Sequence, residues 1–130
     1  MSRVKFSVKV LVVSDMEASK RFYADVLGCE VTDWWVVRDD YALGFKLIQA
    51  DRIEDVQPNK VGKYQEVSWD TYAYVETHAD MDELYEAFKA KGARFIQEPV
   101  VTEADWGAWK EFVIVDPDNY AIGFGSGKKN

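Results

Sequence analysis

A short internal repeat constrains this chain more than any other feature. Asp15-Met16-Glu17 returns as Asp80-Met81-Asp82 at an offset of 65. Asp40-Tyr41-Ala42-Leu43-Gly44-Phe45 returns as Asn119-Tyr120-Ala121-Ile122-Gly123-Phe124 at an offset of 79. Both echoes fall at the same place in a strand–helix–strand–strand–strand order, so a tandem duplication of one βαβββ module is expected. The competing reading is an ordinary α+β domain with coincidental strand wording.

The local signals run as follows. Val4–Val13 is rich in β-branched residues and reads as a strand. Ser14 or Asp15 can cap a helix over 16–27, with Glu17 placed as a capping box requires and Gly28 as the stop. Val31–Val37 and Tyr41–Ile48 read as strands joined by the turn Arg38-Asp39-Asp40. After a polar stretch, Trp69–Thr77 is a strand and Asp80 opens a helix over 81–91, whose apolar positions 81, 84, 85 and 88 follow the helical period. Arg94–Gln97 is expected as a short strand and Pro99–Gly107 as a loop. Trp109–Val115 and Tyr120–Phe124 close the chain around the turn Asp116-Pro117-Asp118-Asn119. The expectation is one domain, 1–130, made of modules at about 4–48 and 68–124 joined by a polar loop over 49–67.

Composition narrows the function classes. The net charge is −7, from 16 Lys+Arg against 23 Asp+Glu, which disfavours a nucleic acid or an anionic membrane as partner. Cys29 is the only cysteine, so no intramolecular disulfide forms and a reducing cytoplasm is the expected location. His78 is the only histidine, which excludes chemistry built on a histidine pair within one chain. Its place just before a helix start suggests a solvated imidazole. No apolar run reaches the roughly 20 residues of a membrane span, and Val10–Val13 is too short for a signal-peptide core.

Three segments carry a family resemblance. They are Val13-Ser14-Asp15-Met16-Glu17-Ala18-Ser19-Lys20-Arg21-Phe22-Tyr23 with Val26-Leu27-Gly28; Met81-Asp82-Glu83-Leu84-Tyr85 with Lys91-Gly92; and Glu111-Phe112 with Asp116-Pro117-Asp118. In these words and this order the chain resembles the glyoxalase/bleomycin-resistance/dioxygenase (vicinal oxygen chelate) superfamily from Val4 to Phe124. Trp35-Val36-Val37-Arg38-Asp39-Asp40 and Thr102-Glu103 look like its bleomycin-resistance branch. The resemblance implies an α+β fold: tandem βαβββ modules forming a cupped, open mixed-sheet barrel with helices outside. It also implies pairing between chains, so a homodimer is expected.

Enzymes of this superfamily hold a divalent metal on the concave face through His, Glu or Gln. The matching positions here are Val8, Gly44, Gly123, and Ala73 or Tyr72 depending on a one-residue gap. Valine, glycine and alanine offer no donor and a phenol alone is a poor one, so no metal and no other cofactor is expected.

The aromatic residues carry the remaining signal. Phe45 and Leu47 share a strand face with Leu43, and Tyr72 and Tyr74 share a face opposite Ala73 and Val75. The expected ligand-binding set is Trp35, Phe45, Tyr72, Tyr74, Trp106, Trp109 and Glu111, for a small aromatic or cationic organic molecule. Carboxylates at Glu103, Asp105 and Glu111 leave metal-free acid–base chemistry open. Three readings follow. One is a metal-free sequestering protein with no catalytic residues. The second is a superfamily lyase, isomerase or dioxygenase with displaced ligands. The third is an interaction module whose cup is filled by side chains.

Overall fold

The computed structural model describes residues 2–32, 35–59 and 69–130. The chain divides into two units, 1–57 and 58–130. The first contains β1 (Lys9–Val13), α1 (Met16–Asp25), β2 (Glu30–Val31), β3 (Val36–Arg38) and β4 (Leu43–Gln49), with strand order β1-β4-β3-β2. The second contains β5 (Thr71–Tyr74), α2 (His78–Ala90), β6 (Arg94–Ala104), β7 (Gly107–Val115) and β8 (Ala121–Lys129), with order β5-β8-β7-β6. In each unit the first strand pairs parallel with the last, and the other pairs are antiparallel. The α+β class and the tandem βαβββ order are therefore present. The strands form two four-stranded mixed sheets, neither closed into a barrel.

The repeat extends to the packing. Tyr23 of α1 lies 4.9 Å from Phe45 of β4, ring centre to ring centre, and Phe88 of α2 lies 5.3 Å from Phe124 of β8. These are the same two positions at the offsets of 65 and 79. All four rings are buried. Burying each aromatic ring stabilises its unit by about 3–5 kcal/mol, judged from what truncation to alanine costs. Period two then assigns the faces. In the second sheet Phe112, Ile114, Ile122 and Phe124 lie against α2, where Lys110 also pairs with Asp82.

Several sequence expectations need correction. The single strand over Val31–Val37 is two strands, β2 and β3, and between them Thr32 exchanges hydrogen bonds with Trp35. The side-chain cap of α1 is Asp15, accepting from the Ala18 N–H at 3.1 Å, while Gln49 Oε1 takes the Met16 N–H at 3.0 Å. α2 begins at His78 rather than Asp80, because Thr77 accepts from the Asp80 N–H at 3.0 Å and so caps one turn earlier. β8 runs on to Lys129.

The largest correction is β6, which continues through the expected Pro99–Gly107 loop as far as Ala104. β-branched Val100, Val101 and Thr102 favour the strand. Pro99 falls in the register shift between Gln97 and Val100, on an edge strand, where a missing N–H breaks no ladder bond. Among the described residues no helix is long and apolar enough to cross a membrane. Trp34 and the linker segment 60–68 lie outside the described residues.

Candidate functional site

The second sheet has one face against α2 and one face free of its own helix. On that second face β8 presents Gly123, Gly125 and Gly127 at period two. Large residues flank this bare strip in register: Tyr72 beside Gly123, Glu111 beside Gly125, and Trp109 beside Gly127. The rings fold inward over it. A Cβ on Gly123 would lie 2.7 Å from both Trp69 Cδ1 and Tyr72 Cδ2. One on Gly125 would collide with the Tyr72 hydroxyl and the Trp109 ring, and one on Gly127 would sit 3.3 Å from the rings of Trp106 and Trp109. Trp69, Tyr72, Trp109 and Trp106 thus form a row along one strand. Tyr74 joins it, 5.4 Å from Tyr72 and edge-on to Trp109 at 6.0 Å.

Hydrogen bonds fix the middle of the row. Trp109 Nε1 donates to the Tyr72 hydroxyl at 3.0 Å, and Tyr72 donates to Glu111 Oε1 at 2.5 Å. Gln97 Nε2 donates to Glu111 Oε2 at 3.0 Å. Burial, and then the bond given to Glu111, push the Tyr72 phenol well above the ordinary tyrosine range, against a smaller opposing effect of the Trp109 N–H. Tyr72 is therefore a neutral donor and not a phenolate nucleophile. The outer parts stay open: Tyr74 is 81% exposed, Trp106 48% and Trp69 36%.

The expected site residues separate cleanly. Tyr72, Tyr74, Trp106, Trp109 and Glu111 come together on this face. Trp35 lies in the first unit, edge-on to Phe6 at 5.7 Å. Phe45 is fully buried, because the face it shares with Leu43 and Leu47 is the one packed on α1. Phe45 is a core residue and leaves the set. Trp69, Gln97, Gly125 and Gly127 are additions. The alternating glycines of Gly123-Phe124-Gly125-Ser126-Gly127 were the available signal for them.

The positions matching the family's metal ligands do not fit a divalent ion. The parallel register puts Tyr72, and not Ala73, opposite Gly123, and Ala73 faces the helix beside Phe124. In the first unit a Cβ on Gly44 would meet Val8 at 2.9 Å and Val37 at 3.0 Å. Aromatic rings fill one place and aliphatic groups the other, and none of the matched positions itself carries a carboxylate or imidazole. Among the described residues no three His, Cys, Asp or Glu side chains gather where they could hold an ion.

His78 and Cys29 are occupied structurally. His78 Nε2 lies 3.0 Å from the Ser126 carbonyl, which can only accept, so the ring tethers β8 to α2 and is not the solvated imidazole expected. Burial raises the Cys29 thiol to about 11, with Arg38 lowering it less, so this buried thiol is a poor nucleophile.

Residues 5–124 match the Glyoxalase/Bleomycin resistance protein/Dioxygenase superfamily. The chain belongs to that superfamily. Solved structures of similar fold include a glyoxalase/bleomycin resistance protein/dioxygenase from Alicyclobacillus acidocaldarius, at 20% identity and TM-score 0.67, covering 97% of this chain and 95% of that one. The genomically encoded fosfomycin resistance protein FosX from Listeria monocytogenes matches at 15% identity and TM-score 0.66, covering 98% and 96%. An integron cassette protein from the mobile metagenome of V. cholerae matches at 18% identity and TM-score 0.62, covering 97% of both chains. No match was found among curated protein sequences. At these identities the neighbours establish the shared fold.

Two outcomes test the geometry. Gly125→Ala forces Tyr72 and Trp109 off the strand and destabilises the second unit by about 1–3 kcal/mol, read from denaturant unfolding and a shift in tryptophan emission. The folded state holds the Tyr72 proton more tightly than the unfolded state does. The stability this contributes is whole below an ordinary phenol pKa of about 10 and is lost as pH rises beyond it towards the folded value. Tyr72→Phe therefore loses less stability than the parent between about pH 9 and 11. Equal losses would show that Tyr72 titrates normally.

Proposed function

We propose that this protein is a metal-free binder that sequesters a small organic molecule, aromatic or cationic, on the aromatic face of its second sheet. The observation that carries this reading is the ring row seated on the glycine strip of β8, with Tyr74, Trp106 and Trp69 still presenting surface. A core role would have buried those rings. Rigid rings with few torsions to fix supply contact area at low entropic cost. Stacking of one cationic ring on one tryptophan contributes about 0.5–2 kcal/mol, so two or three such contacts plus a carboxylate give affinity in the micromolar range.

The sequestering role also accords with the family name and with the resistance activity printed for the Listeria neighbour, which is a property of that protein. The enzyme reading is weaker, because the family's ligand positions carry rings, glycines and valines and Tyr72 keeps its proton. The filled-face reading accounts for Tyr72 and Trp109 but not for the exposure of Tyr74 and Trp106.

Equilibrium dialysis with two naphthalene probes, 2-naphthylmethanol and 2-naphthylmethylamine, tests the binding. At least one saturates at a single site, and Tyr74→Ala or Trp106→Ala weakens it about tenfold with the unfolding midpoint nearly unchanged. If neither probe saturates, the binding reading fails. Zinc, nickel, iron and manganese stay far below one equivalent after dialysis, whereas a stoichiometric metal removes the metal-free reading. We also propose a homodimer, packed through apolar side chains and not by strand addition, since β6 leaves Ile96, Val100 and Val101 exposed. Light scattering at micromolar concentration gives twice the chain mass if this is right and the chain mass if it is wrong.

A further inference from the structure

Glu111 is half-buried in the middle of the ring row, and its two hydrogen-bond donors, Tyr72 and Gln97, are both neutral. Each carboxylate oxygen has two acceptor positions, so each keeps one open. No lysine or arginine among the described residues pairs with it: Arg38 pairs with Asp39 in the first unit, and Lys110, the neighbour in sequence, faces the other way and pairs with Asp82. Among the described residues no lysine or arginine lies over the rings around Glu111. Lys5 lies over Tyr41 in the first unit, and Lys89 lies over Tyr85 of α2. A partly desolvated carboxylate held by neutral donors, within a fence of electron-rich ring faces, is a receptor lacking its positive charge.

The same geometry selects the kind of cation. A divalent metal needs several hard oxygen donors, and among the described residues this row holds one carboxylate, beside a phenol that keeps its proton. An ammonium or amidinium group needs fewer. Its N–H groups can take the two open acceptor positions on Glu111 while its carbon skeleton rests on the rings. A chain of net charge −7 adds a long-range attraction that salt weakens.

We infer that the ligand of this face is a flat organic cation with an N–H donor, an ammonium or amidinium on a ring system, whose charge docks at Glu111 beside Tyr72 and Gln97 and whose ring lies on Trp109 and Tyr74. This inference rests on the proposal that the face is a ligand site.

The two naphthalene probes separate the possibilities, since they share a ring and differ in charge. The full chain binds 2-naphthylmethylamine about tenfold or more tighter than 2-naphthylmethanol at low salt, and the ratio narrows as salt is raised. In Glu111→Gln, which keeps the size of the side chain and an acceptor for Tyr72, the ratio collapses to about two. Gln97→Lys places an ammonium of the protein's own beside the carboxylate and collapses the ratio in the same way with Glu111 intact. This second variant decides the matter if Glu111→Gln folds poorly. Equal binding of amine and alcohol by the parent, or a preference that survives both substitutions, overturns the inference while leaving the binding reading in place. If neither probe binds, the binding reading fails and the inference goes with it.

Discussion

A stretch of strand that carries no side chains on one face, Gly123 to Gly127 of β8, governs the second unit. Gly123, Gly125 and Gly127 leave a trough the width of one strand, and the residues in register beside it are too large to stand upright without leaving a gap. Rings from Tyr72 and Trp109 lie down into the trough, and that posture brings the Trp109 N–H, the Tyr72 hydroxyl and the Glu111 carboxylate into one hydrogen-bonded line. The chemistry of the face follows from missing atoms. A single methyl group at position 125 would lift the rings and break the line.

The two modules show how far one framework can be dressed differently. Both keep the parallel pairing of first and last strand, and both keep the aromatic contact between helix and last strand. On the face away from the helix they diverge. Around Gly44 the first unit packs Val8 and Val37, an apolar filling. Around Gly123 the second places tyrosine and tryptophan, which carry polar ends as well as area. Core positions are held by packing, whereas the opposite faces are free to diverge, and here they have.

Much of this was legible in the letters. The repeat offsets gave both βαβββ modules, and period two put Tyr72 and Tyr74 away from the helix and Ala73 towards it. The same alternation is why five of the expected residues, Tyr72, Tyr74, Trp106, Trp109 and Glu111, lie together on one face. What failed did so where local signals compete with pairing partners. Phe45 was put on the correct face but that face turned out to be the core, since alternation says which residues go together and not which side is wet. Pro99 was placed in a loop, and only the register with β7 shows that a strand can pass through it without the missing N–H. The glycine strip was visible as alternating glycines, but its meaning depends on Tyr72 and Trp109 being its lateral neighbours, and that neighbourhood is set by strands distant in sequence.

Pro99 has a consequence beyond the ladder it spares. β6 is an outer strand of eleven residues, and Ile96, Val100 and Val101 leave apolar surface on it. A run of that length and composition, with a free edge, is the kind of template on which misfolded chains stack into fibrils. An imide nitrogen at its centre has no hydrogen to offer an incoming strand, and the bulge beside it breaks the straight line such a strand would need. The proline expected in a loop works instead against strand addition along this edge.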